Sequence, residues 1–67
     1  MNLNLLRAKM VECGYSQGQV ASLIGMHGNT LSRKVNGESD FTLTEVRKLC
    51  HVLRIADPVR IFGLGIE

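Results

Sequence analysis

Asn29 and Arg33 stand four residues apart with Leu31 between them. At about 100° per helical residue, a helix that turns Leu31 inward brings both polar side chains to its outer side. Asparagine can pair bidentately with N6 and N7 of adenine, and arginine with O6 and N7 of guanine. Further polar groups crowd the same stretch: Gln17 ahead of it, His27 and Thr30 within it, then Ser32, Lys34 and Asn36.

Other chemistry finds little support. Glu38 and Asp40 lie near each other, but a loop pair without a pocket is not an acid/base dyad. His51 reads as a surface residue on a helix. Gly25-Met26-His27-Gly28 is not a phosphate-binding fingerprint, because no strand precedes it. There is no nucleophile beside a base and no metal-ligand set, so the chain is expected to be no enzyme and to hold no cofactor or metal. Cys13 and Cys50 sit far apart without a CxxC pattern, which disfavours a zinc site or a disulfide scaffold and suits a reducing cytoplasm. The opening residues lack a signal-peptide pattern, and no stretch approaches the ~20 apolar residues that span a bilayer.

The elements that must position these groups are legible from caps and breakers. The chain has 67 residues, enough for one domain, and 45% of them are apolar, enough for a small packed core. A chain this short buries only ~60% of its unfolded surface. A single proline, Pro58, and apolar residues at helical spacing predict an all-α fold. The first helix runs from about Asn2 or Leu3 to Cys13, with Leu3, Leu6, Met10 and Cys13 on one face. Ser16 and Gln19 form a capping box for a second helix, whose apolar side is Val20, Ala21, Leu23 and Ile24. Gly18 weakens it by ~1 kcal/mol relative to alanine. A third helix covers about Gly28 to Asn36, with Leu31 and Val35 inward. Thr42 and Glu45 box the start of a fourth, striped by Val46, Leu49, Cys50 and Leu53. Asp57 is expected to cap a short fifth helix, with Pro58 at its first position and Gly63 ending it. The net charge of +2 is small, and the cations are scattered over several helices rather than gathered in a tail.

Two short helices joined by a tight turn must cross where side chains are small. Ala21 is the small residue at that crossing, and Gly25, four residues later, can take the left-handed backbone of the corner. Val20, Ile24, Met26, Leu31 and Val35 would fill the space behind it. On Gly14-Tyr15-Ser16-Gln17, Val20-Ala21, Leu23-Ile24-Gly25, Asn29-Thr30-Leu31-Ser32-Arg33, Asn36-Gly37 and Leu49 to Leu53, the chain resembles the Cro/repressor (XRE-type) helix-turn-helix proteins. It looks most like the short phage transcriptional regulators.

That resemblance implies a compact five-helix, lambda-repressor-like DNA-binding domain over residues 1–67, with its helix-turn-helix at about 17–36 and its third helix in the major groove. It implies that Gln17 meets a phosphate and braces the third helix. His27, Gly28, Asn29 and Thr30 would be the leading edge of that helix, with Ser32 and Arg33 following. Asn29 and Arg33 are the expected base readers, while Gln17, Lys34 and Asn36 hold phosphates. The implied partner is a double-stranded, partly palindromic operator bound by a homodimer in a bacterial cytoplasm, on the nucleoid, with no membrane or small-molecule substrate. Ile61, Phe62, Leu64 and Ile66 either cap the core or form a dimer surface; in the second case Val59, Phe62 and Leu64 are the expected dimer residues.

Three departures stand out. Gly28 replaces a long polar reader and offers only backbone. The arginine–glutamate pair that ties the first and third helices in many relatives maps onto Met10 and Val35, an apolar pair that can replace it at little cost. Lys34 stands where an apolar residue is usual and is expected to snorkel toward DNA. The weak charge and Gly28 also leave open a protein-interaction module of antitoxin or anti-repressor type.

Overall fold

A computed structural model describes residues 2–63. Five helices follow in order, α1 (Leu3–Glu12), α2 (Gln17–Leu23), α3 (Gly28–Val35), α4 (Leu43–Val52) and α5 (Pro58–Phe62), with no strand among the described residues. The sequence-read boundaries hold to within a residue or two, and the reason is the caps. The Asn2 side chain accepts from the Leu5 amide at 3.0 Å. The Ser16–Gln19 and Thr42–Glu45 boxes are both closed in both directions. At α5 the N-cap position falls to Asp57, whose side chain accepts no helix amide, so only Pro58 pre-sets that helix.

The same hydrogen-bond pattern ends several helices. After α2, the Gly25 N–H donates to Ser22 O at 3.2 Å and the Met26 N–H to Ala21 O at 2.8 Å, which is the Schellman arrangement. Gly25 sits at φ +71, where a side chain would be strained although nothing crowds it within 4 Å. α1 and α3 close the same way through Gly14 and Gly37. After α4 the Ile55 N–H reaches Cys50 O at 2.9 Å, but the left-handed residue is Arg54, at φ 54. It is the only non-glycine residue with positive φ among the described residues.

The core is one cluster to which every helix contributes. α1 gives Leu6 and Met10, α2 gives Val20, Ala21 and Ile24, and α3 gives Leu31 and Val35. Val46, Leu49 and Leu53 come from α4 and its end, and Ile61 and Phe62 from α5. No buried side-chain nitrogen or oxygen lacks a partner among the described residues. α5 is stitched to the chain start by the Asn2 N–H, which donates to Ile61 O at 2.6 Å.

Two expectations fail here. Leu23 is 54% exposed rather than inside. The buried arc of α2 runs through Val20, Ile24 and Ala21, and Leu23 lies about 100° from its centre, on a flank no helix covers. Phe62, expected on a dimer surface, is 3% exposed and meets Phe41 edge-on, with ring centroids 6.4 Å apart. Val59 is 53% exposed, and Leu64 lies outside the described residues. Both cysteines are half-buried free thiols; Cys13 Sγ donates to Leu53 O, and burial pushes the Cys50 thiol up. No described helix is long and apolar enough to cross a membrane.

Candidate nucleic-acid interface

α3 is anchored by Leu31 and Val35, both fully buried. α2 braces it, with Ala21 buried at 1% where a larger side chain would push the two helices apart. The helical turn therefore forces Asn29, Thr30 and Arg33 to the opposite side, and all three are exposed. Their side chains have no hydrogen-bond or ion-pair partner among the described residues, so each keeps its full donor and acceptor set. Ser32 is half-buried beside them.

The start of α3 is open as well. His27 occupies the N-cap position without a side-chain cap bond, and His27 and Gly28 are exposed. The first-turn amides are thus available to an anion at the positive end of the helix. Gln17 is half-buried at the first position of α2 and makes no hydrogen bond to α3, so the expected brace between them is absent.

Lys34 corrects an expectation. Its ammonium does not reach outward but lies 2.6 Å from Glu45 Oε1, with side-chain exposures of 12% and 21%. It also sits 5.9 Å over the Phe41 ring. The same Glu45 oxygen accepts the Thr42 N–H at 2.8 Å. Burial pushes the Glu45 carboxyl up, but Lys34 and the Thr42 amide and hydroxyl outweigh it and hold the group below its usual value. Lys34 is therefore a pin between α3 and the start of α4 rather than a phosphate contact.

Arg7 is the residue that sequence reasoning missed. Its Nη2 donates to Val35 O and to Asn36 Oδ1, each at 3.0 Å, and its Nη1 to Asn4 Oδ1 at 3.1 Å. It closes the last turn of α3, where cations are favoured. Met10 and Val35 are buried in the core at 2% and 0%, as expected of an apolar pair, and the polar tie between α1 and α3 has moved to Arg7. Asn36 is consequently turned toward α1 by its oxygen, leaving its amide NH₂ as the group free to donate outward. The readable signals were Asn4 one turn before Arg7 and the α3 terminus at Asn36-Gly37.

A family model described as helix-turn-helix matches residues 6–57. The chain belongs to the helix-turn-helix family, of the Cro/XRE type. No curated protein and no solved structure matches it. As a helix-turn-helix domain it is of a DNA-binding, regulatory kind. The motif itself is α2, the Gly25 corner and α3, while α5 lies beyond the matched residues. No group of three or more histidines, cysteines or acidic residues able to hold a metal occurs among the described residues.

Proposed function

We propose that this helix-turn-helix protein is a transcriptional regulator of the phage-repressor or Cro-like kind, working in a bacterial cytoplasm on nucleoid DNA. It binds a partly palindromic operator as a homodimer, with α3 in the major groove. The observation that carries this reading is the pairing on α3 of a locked inner face, Leu31 and Val35, with an exposed outer face bearing Asn29 and Arg33. Asn29 reads adenine and Arg33 reads guanine. Thr30 meets a base methyl or a phosphate, Ser32 follows on the same face, and the open amides at His27 and Gly28 take a phosphate. Gln17 and the Asn36 amide set the register on the backbone. One such helix buries too little for tight specific binding, which is the reason for two-fold pairing and half-sites ~34 Å apart. Of the three expected dimer residues, Val59 is the one described and exposed.

Selection of bound duplexes from a random pool, followed by anisotropy titrations at two salt concentrations, tests the proposal. A two-fold symmetric site and a steep negative salt slope are expected. Asn29→Ala and Arg33→Ala should each weaken the selected site by about 1–3 kcal/mol and relax specificity at one position. Absence of any enriched sequence at low salt overturns it.

One observation favours a second reading. Lys34 is sealed against Glu45, and Glu38 and Asp40 are exposed just after α3, so the reading face is only weakly cationic. A protein-interaction module of antitoxin or anti-repressor type would tolerate that. Biological activity that survives N29A and R33A together would select it.

A further inference from the structure

At the end of α2 remote from Gln17, a groove of about 600 Å³ opens between α2 and α4. Leu23, Ile24 and Val52 form its apolar surface, and Arg47, Lys48 and His51 its rim. It continues into a hollow of about 660 Å³ where Tyr15 and Arg54 join Leu23, His51 and Val52. No acidic residue among the described residues lines either space. The acidic residue of α4, Glu45, is engaged on another side by Lys34. Lys48 Nζ reaches Ile24 O at 3.5 Å, and neither Lys48 nor Arg54 meets a carboxylate among the described residues. None of the outward side chains of α3 takes part.

Leu23 is 54% exposed and lies in a concave patch beside Val52, and an apolar side chain so placed is a feature of contact surfaces. The chemistry of the rim selects the occupant. A second copy of the same groove would bring like charges together, and a basic partner would be repelled. A nucleic-acid backbone would satisfy the cations but set phosphates against Leu23 and Val52, which offer it nothing. An acidic segment with an apolar side chain satisfies both halves at once. We propose that this groove docks an acidic, amphipathic segment of another protein, with an apolar anchor on Leu23 and Val52 and carboxylates over Lys48 and Arg54. The α2–α4 groove would thus give the domain a protein-binding face separate from the exposed face of α3.

The test is an amide-resolved NMR titration of the full 67-residue chain. The probes are a panel of short peptides with leucines at helical i, i+3 or i+4 spacing among glutamates, and the same panel with lysine for glutamate. A DNA duplex is titrated in parallel. Shifts centred on Leu23, Lys48 and Val52 are expected with acidic peptides and not with their basic counterparts. Leu23→Ser and Lys48→Glu should each weaken binding at least tenfold. Both sites are on the surface, and the shift map of the unaltered chain stands as evidence even if a variant fails to fold. Silence from every acidic peptide overturns the proposal. So do equal shifts with the lysine panel, or a DNA footprint centred on the groove rather than on α3.

Discussion

Replacing Arg7 by leucine tests how α3 is held in place. The substitution keeps a stem able to pack on α1 but removes three hydrogen bonds, two of them to the end of α3 at 3.0 Å. Bonds from a charged donor contribute roughly 1.5–3 kcal/mol when sheltered, but here the acceptors are near the surface and water can replace the guanidinium. About 0.5–1 kcal/mol per bond is the defensible figure, with about 0.3–1 kcal/mol for the charge at the helix C-terminus. Releasing the ordered arginine returns up to ~2 kcal/mol of side-chain entropy. The net expected loss is about 1.5 kcal/mol. A domain of this size has only ~3–10 kcal/mol of stability in all, and 1 kcal/mol shifts its Tm by roughly 4–8 °C. Arg7→Leu should therefore lower the urea-derived stability measurably and the Tm by about 6–12 °C. Arg7→Lys should recover only part, because one ammonium replaces two separate nitrogens, Nη1 on Asn4 Oδ1 and Nη2 on Val35 O and Asn36 Oδ1. In a double-mutant cycle with Asn36→Ala, a coupling of roughly 0.5–1 kcal/mol is expected. Additive losses, or full recovery with lysine, would refute the claim that the guanidinium bridges Asn4 of α1 to the end of α3.

Further expectations follow from other sites. Arg54→Gly, at φ 54, should raise stability by about 0.5–1 kcal/mol in a thermal melt, since glycine takes that backbone without penalty. Gly25→Ala should do the reverse, because the φ of +71 strains any side chain; an unchanged melt would remove the corner from the argument. Ala21→Leu should cost about 1–3 kcal/mol by overpacking the crossing of α2 and α3, and should weaken DNA binding more than its stability loss explains. Glu45 has a lowered folded pKa, so its contribution is fully present above the ordinary carboxylate value and is lost as pH falls through the lowered one. Glu45→Gln should flatten stability against pH in that acidic window while leaving the slope near neutrality unaltered.

The sequence by itself determined the helices and the motif. Ser16–Gln19 and Thr42–Glu45 are local capping chemistry, decided within four residues, and they appear in the structure as read. Leu31 with Asn29 and Arg33 obeys helical periodicity, so which face of α3 turns outward was also a local matter. Tertiary structure decided what depends on a neighbour distant in the chain. Leu23 has the composition of a core residue, yet no helix covers its flank of α2. Phe62 reads equally as a core cap or a dimer contact until Phe41, far earlier in the chain, is packed against it. Arg7 and Lys34 looked alike as cations on helices, but packing brought Val35 O and Asn36 to one and Glu45 to the other. A cap is satisfied by residues a few positions away. The destination of a long cation or the cover over an apolar flank is set by which helix lies alongside, and spacing along the chain does not encode that.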